Sequence, residues 1–147
     1  NVVLPSPHLF NPLPPEREKL WMRYGRGDKK LFVNLVGLSI SDVRLGYCKI
    51  DLKFRSELLQ AGGFVHGGLI ATLMDTACVP AVGSDFTGRR AYSTIDAHIQ
   101  YQSSTKDEDL ETVSWVTRRT KSIVFCESIV ASTSGRTLAK GAFTFKI

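Results

Sequence analysis

Apolar and polar residues alternate with a period of two in several parts of this chain, which predicts strands. In residues 47–54 the apolar side chains occupy every second position, at Cys48, Ile50, Leu52 and Phe54. Successive side chains of a strand point to opposite faces, so this pattern indicates a strand with one buried face. Five further segments are predicted as strands on the same or weaker patterns: 31–43, 93–101, 110–119, 123–131 and 139–147.

Residues 65–79 differ, because they are apolar on nearly every face of a helix. A helix of this kind has to be surrounded by protein. Pro80 has no N–H to donate, so we expect it to end or kink this helix. The order of two strands, one long buried helix and four strands predicts an α+β fold in which a curved antiparallel sheet wraps around one long central helix.

The first residues follow neither pattern. Five prolines among residues 1–15 predict an extended arm, after which Pro14 and Pro15 can open a short helix. We therefore divide the chain into an N-terminal arm with a short helix, 1–30, and a single domain, 31–147.

Composition and charge limit the possible partners. No apolar run reaches the roughly 20 residues that cross a bilayer, so we expect no stable membrane insertion and a cytoplasmic or mitochondrial matrix location. A targeting segment is not visible in a chain that begins at Asn1. The net charge of +5 permits contact with anions, but the basic residues are scattered, so a nucleic-acid partner is not expected. The three cysteines lack metal-ligand spacing, which predicts buried free thiols and no metal.

A glycine-rich segment precedes the predicted helix and contains His66, Gly67 and Gly68. The first N–H groups of a helix have no partner within the helix, and glycine leaves them sterically open. The positive end of the helix dipole lies at the same place. Such a helix start can bind an anion or polarise a carbonyl group.

Asp75 is the only acidic or basic residue between His66 and Gly83. A buried carboxylate is unfavourable unless it is paired or hydrogen-bonded, so Asp75 either pairs with a strand arginine or a backbone N–H, or serves as a base or nucleophile in a dry cleft. It lies nine residues after His66, roughly 13 Å along a helix axis. One copy therefore cannot easily direct both groups at one carbonyl, whereas two copies packed antiparallel can.

The segment 60–75 resembles the signature of hotdog-fold thioesterases of the phenylacetate-degradation and acyl-CoA thioesterase 13 type. The family pattern is Asn, two residues, Gly, two residues, His-Gly-Gly, and Asp nine residues after the His. The matching positions here are Gly63, His66, Gly67, Gly68 and Asp75. One position departs from the pattern, because Gln60 stands where the family has Asn.

The resemblance implies hydrolysis of acyl-CoA to a free acid and coenzyme A, without a metal or organic cofactor, in a homodimer or a dimer of dimers. A glycine N–H at the helix start, from Gly67 or Gly68, would polarise the thioester carbonyl. Asp75 of the other subunit would activate water or attack directly. Family members often use a strand hydroxyl to hold the water, and Ser93 is at the matching distance from Asp75.

Further site residues are expected around this centre. Gln60 can still orient the carbonyl or the water through a shifted loop, and His66 is expected to cap or brace the helix start. Phe64 and Val65 are candidates for the acyl lining. The candidate ligands of the coenzyme A phosphates are basic residues, since arginine suits phosphate through its fork of donors: Arg89, Arg90, Arg118, Arg119 and Lys121.

Other functions stay open. A hotdog dehydratase or hydratase would use a His and an acid, but the neighbours of His98 do not match those motifs. A non-catalytic module that binds acyl thioesters is compatible with the change at Gln60. Binding of single-stranded nucleic acid is suggested by net charge alone.

Overall fold

The computed structural model describes residues 3–24, 26 and 30–147. Residues 1, 2, 25 and 27–29 of the predicted N-terminal segment lie outside this description. The helices are α1 (Pro15–Met22), α2 (Phe32–Val36) and α3 (Gly67–Gly83), and short 3-10 turns occur at Pro7–Leu9 and Ser56–Leu58. The strands are β1 (Ser39–Arg44), β2 (Tyr47–Leu52), β3 (Ser93–Tyr101), β4 (Leu110–Arg119), β5 (Ile123–Ser132) and β6 (Thr137–Lys146).

The six strands form one antiparallel sheet in the order β1-β2-β4-β5-β6-β3, which curves around α3. The predicted α+β hotdog architecture is confirmed. Helix α3 packs mainly against β2, β4 and β5, and fully buried side chains such as Leu73, Met74 and Phe143 fill the space between helix and sheet. Burial of a large apolar side chain contributes roughly 1.5–3 kcal/mol, so this layer provides most of the stability of the fold.

The strand predicted for residues 31–43 is wrong in its first half, where the chain forms α2. Gly37 has a φ of +79° and ends this helix in the left-handed conformation that glycine adopts without strain. The guanidinium group of Arg55 donates hydrogen bonds to the carbonyls of Leu35 and Val36, at 2.8 and 2.6 Å. A partner about twenty residues away thus stabilises a single helical turn, and local periodicity does not reveal it.

The predicted helix end at Pro80 is also wrong, because α3 continues to Gly83. Pro80 is buried inside the helix, and its carbonyl accepts a hydrogen bond of 2.8 Å from the N–H of Ser84. Packing around the last turn therefore outweighs the bond that the missing proline N–H would have made.

The N-terminal segment contacts both the sheet and the end of α3. Residues 3–14 are extended apart from their 3-10 turn, and Phe10 packs on Tyr47 of β2 with 4.9 Å between ring centroids. Helix α1 lies at the end of α3, where Arg17 donates hydrogen bonds to the carbonyls of Ser84 and Phe86. Within the described part of the chain, no helix has the length and apolar character needed to cross a bilayer.

Gly83 permits the close approach of α1 to α3. A Cβ at this position would lie 2.6 Å from the Trp21 ring and would press against the Tyr92 hydroxyl. We expect Gly83→Ala to lower the free energy of unfolding by about 1–3 kcal/mol, because an added methyl group forces its neighbours apart. Urea unfolding measures this loss. Gly88→Ala is the control, since no atom lies within 4 Å of its added Cβ. Equal stability of the two variants would contradict the role of Gly83 in the close approach of α1 to α3.

Candidate active site

His66 is the N-cap of α3 and braces the helix start, which is the role expected for it from the sequence. It has an extended backbone, and its Nδ1 accepts a 2.8 Å hydrogen bond from the N–H of Gly68. The N–H of Gly67 forms no hydrogen bond with any residue that the structure describes. Of the two candidate glycines, Gly67 is therefore the one that retains an N–H donor for a carbonyl oxygen.

The loop before α3 is closed by Gln60. Its side-chain oxygen accepts a hydrogen bond from the N–H of Gly62, and its backbone N–H donates to the carbonyl of Phe64 at 2.8 Å. Gly63 has a φ of +79° and donates its N–H to the Gln60 carbonyl at 2.9 Å. In one copy of the chain the Gln60 amide is turned into its own loop, and the loop holds Gly67 in position.

Asp75 lies half-buried near the middle of α3. Its Oδ1 accepts a hydrogen bond of 2.7 Å from the hydroxyl of Thr94 on β3. Within residues 3–24, 26 and 30–147, no basic side chain lies within ion-pair distance of this carboxylate. The salt-bridge interpretation of Asp75 therefore does not describe this structure, and the carboxylate can accept a further proton or bond.

The hydroxyl that contacts Asp75 belongs to Thr94 rather than to Ser93. Ser93 is exposed, and its side chain forms no hydrogen bond with the described residues. Neighbouring strand residues point to opposite faces, so Ser93 and Thr94 lie on opposite faces of β3. The predicted role of Ser93 in holding a water stays a prediction.

Aromatic residues that sequence reasoning missed cover the helix face beyond Asp75. Val79 and Gly83 follow Asp75 at intervals of four residues and share its face. The Tyr92 hydroxyl donates to the carbonyl of Val79 at 2.8 Å, and burial raises its pKa. Burial also raises the pKa of Tyr24, and the charge of Asp75 raises it further.

A cavity of about 520 Å³ joins most of the predicted phosphate ligands. Its basic lining residues are Arg89, Arg90, Arg119 and Lys121. Its one acidic side chain, Asp85, pairs with Arg119 at 3.1 Å. Arg118 is exposed and does not line this cavity, because it points away from its neighbour along β4.

The two predicted acyl-lining residues have different environments. Val65 is 5% exposed, and its N–H donates to the Thr105 carbonyl at 2.9 Å, so it is a core residue. Phe64 is half-buried near the helix start, with the Nζ of Lys106 4.9 Å from its ring centroid. Of the two, only Phe64 is accessible from the surface at this end of α3.

No possible metal-binding group of three or more His, Cys, Asp or Glu side chains occurs in the described ranges. The cysteines, Cys48, Cys78 and Cys126, are buried free thiols. Burial is the main cause that raises the pKa of Cys78, and contact with Cys126 raises it further. The three thiols therefore serve as packing groups within the core.

Loss of the cap should weaken the helix start. We expect His66→Ala to lower the free energy of unfolding by about 1 kcal/mol, as other N-cap losses do, because the Gly68 N–H loses its acceptor. Thermal or urea unfolding measures the change. His66→Asn offers another acceptor and is the matched control; a loss as large as that of the alanine variant would argue against the capping role.

Comparison with known proteins supplies a family for this geometry. The family model of the thioesterase superfamily matches residues 62–139, just over half of the chain. No curated protein sequence matches this chain.

Solved structures that share the fold of this chain include the following three. Thioesterase superfamily member 2 from zebra fish is 22% identical with a TM-score of 0.77, over 87% of this chain and 94% of that one. The E. coli PaaI protein from the phenylacetic acid degradation operon is 18% identical with a TM-score of 0.71, over 77% and 80%. A hypothetical thioesterase with coenzyme A from Streptococcus pneumoniae is 22% identical with a TM-score of 0.69, over 75% and 84%.

Proposed function

Because this chain belongs to the thioesterase superfamily, we propose that it hydrolyses acyl-CoA thioesters to a free carboxylic acid and coenzyme A. The observation that carries the proposal is the state of Asp75, a half-buried carboxylate with one hydrogen bond from Thr94 and no ion pair among the described residues. A structural acid on an apolar helix is normally compensated by a cation or by several hydrogen bonds. The structure of the Streptococcus pneumoniae hypothetical thioesterase includes coenzyme A, which supports this choice of thioester.

The proposed site is shared between two copies of the chain. Within one copy, Gly67 and Asp75 are eight residues apart on α3, roughly 12 Å along its axis. Strand β3 is at the edge of the sheet, and its Ile95 and Tyr101 are each 54% exposed. An exposed edge strand is a template for pairing with another chain. Antiparallel pairing of two β3 strands would bring the Gly67 of one copy towards the Asp75 of the other.

In such a pair, Gly67 of one copy and Asp75 of the other would carry out the hydrolysis together. The Gly67 N–H donates to the thioester carbonyl oxygen and stabilises the negative charge that forms there. In one route the Asp75 carboxylate removes a proton from the attacking water and passes it to the departing thiolate of coenzyme A. In the other the carboxylate attacks the carbonyl carbon and expels the thiolate, and water then hydrolyses the resulting anhydride, which regenerates Asp75 and supplies the proton of the thiol. Thr94 fixes the orientation of the carboxylate through its 2.7 Å hydrogen bond. These steps require no metal.

The basic cavity gives the phosphates of coenzyme A a binding surface. Arg89 and Lys121 are exposed on its wall, and the only acidic side chain of the lining is already paired with Arg119. The net positive lining favours a diphosphate and a 3′-phosphate.

Replacement of the carboxylate should stop hydrolysis. We expect Asp75→Asn to lower kcat by about 10²–10⁴-fold, because the amide cannot take a proton or attack efficiently. The measurement is release of free coenzyme A from a panel of acyl-CoAs, detected with a thiol reagent. Asp107→Asn, which changes an exposed acid in a turn, is the control and should keep full activity.

Other outcomes of the same assay identify other functions. Binding of acyl-CoA without release of coenzyme A by either protein would replace the proposal with a non-catalytic binding module. Loss of water from a β-hydroxyacyl chain would indicate a dehydratase.

Mixing two inactive variants tests whether the site is shared. A pair formed from one Asp75→Asn copy and one Gly67→Val copy contains one site with both native groups if each site uses two copies. Random pairing should then restore about a quarter of the wild-type activity, since half of the pairs are mixed and each has one intact site. Co-expression followed by the coenzyme A assay measures this. A mixture as inactive as its components, with mixed pairs present, would place the whole site in one copy.

A further inference from the structure

A second cavity, of about 540 Å³, lies between α1 and the segment that follows α3. Four aromatic residues contribute to its lining: Trp21, Tyr24, Phe86 and Tyr92. Four arginines contribute as well: Arg17, Arg23, Arg89 and Arg90. It shares residues 86–90 with the basic cavity, so the two cavities lie on either side of one loop.

The chemistry of this lining favours a heteroaromatic anion over a hydrocarbon chain. Aromatic side chains stack on nucleobases, and arginine both stacks on rings and binds phosphate through its fork of donors. A hydrocarbon would gain from the aromatic rings but not from the guanidinium groups.

Not every arginine in the cavity is equally available. Arg17 is committed to backbone carbonyls, and Arg90 lies 5.3 Å from the ring centroid of Phe86. Arg23 and Arg89 are exposed, and their side chains form no ion pair or hydrogen bond with other described residues. These two therefore have their donors free for a ligand.

The distance from Asp75 to this cavity matches the length of a pantetheine arm. From Asp75 to Gly83 the helix rises roughly 12 Å, and the shared loop begins three residues later. An extended pantetheine arm spans roughly 15 Å, since it contains about a dozen bonds of ordinary single-bond or amide length. Tyr92, whose hydroxyl donates a hydrogen bond to the Val79 carbonyl, borders the path between the two places.

We propose that this aromatic cavity binds the adenine nucleotide end of coenzyme A, with the base among Trp21, Tyr24 and Tyr92 and the phosphates at Arg23 and at Arg89, which also lines the basic cavity. The assignment rests on the proposed thioesterase function and adds a nucleotide subsite to it. It also gives α1, which lies outside the matched family region, a part in substrate recognition.

Substrates that differ only in the nucleotide test the subsite. For one acyl group, we compare the acyl-CoA with the acyl-pantetheine thioester, which has no nucleotide. Arg23→Ala combined with Arg89→Ala should raise KM for the acyl-CoA by about tenfold or more, equivalent to about 1.4 kcal/mol, with kcat unchanged. KM for the acyl-pantetheine should not change. Arg136→Ala, which removes an exposed arginine from the β5–β6 turn, is the control.

A direct binding measurement does not depend on turnover. The chain has two tryptophans, so Trp115→Phe leaves Trp21 as the single indole. Adenosine 3′,5′-bisphosphate should quench the fluorescence of this variant, and the two arginine substitutions should weaken the binding at least tenfold. AMP, which carries no 3′-phosphate, should bind more weakly; equal affinity would indicate a site for free nucleotides and overturn the coenzyme assignment.

The two proposals fail in different ways. The nucleotide subsite is overturned if the bisphosphate causes no quenching and the arginine substitutions change KM equally for both substrates or for neither. If the protein still hydrolyses acyl-CoA, the thioesterase proposal is unaffected. Quenching by the bisphosphate in a protein that hydrolyses no acyl-CoA keeps the subsite and removes the hydrolytic function.

Discussion

Burial of α3 is the constraint on which the other features of this molecule depend. The helix is apolar on almost every face, and the strands β2, β4 and β5 enclose most of it. A charged group on such a helix can lie only on the side that the sheet leaves open, and Asp75 occupies that side. Because the nearest polar partner is the neutral hydroxyl of Thr94, the carboxylate is partly desolvated but not neutralised by a cation. The packing that stabilises the fold therefore also determines the environment of this carboxylate.

The two ends of α3 are stabilised in different ways. At its C-terminal end the carbonyl of Val82 accepts a 2.8 Å hydrogen bond from Arg119, and Arg17 binds the next free carbonyls. Cations at this end are favoured by the helix dipole. At the N-terminal end His66 caps the N–H of Gly68, whereas the N–H of Gly67 forms no hydrogen bond with the described residues. Arginine side chains thus hold the C-terminal end of α3, and the N-terminal end retains an N–H donor at Gly67.

Sequence patterns predicted the strands and the helix that are determined by residues close together in the chain. Alternation identified six strand segments, and an apolar run identified the central helix. The errors occurred where a distant partner decides the outcome. Arg55 stabilises the short helix before Gly37, and packing around its last turn allows α3 to continue past Pro80. The same holds for the candidate site. The motif located Gly67 and Asp75, whereas the contact of Thr94 with Asp75 depends on how the loop after α3 sets the register of β3.

The departure at Gln60 can be explained from the loop geometry. The additional methylene of glutamine, compared with asparagine, allows the side chain to fold back so that its oxygen accepts the N–H of Gly62. This bond, together with the turn at Gly63, closes the loop that leads into His66. An amide used in this way cannot at the same time accept a bond from a bound water with that lone pair. In this structure Gln60 therefore contributes by closing the loop before α3.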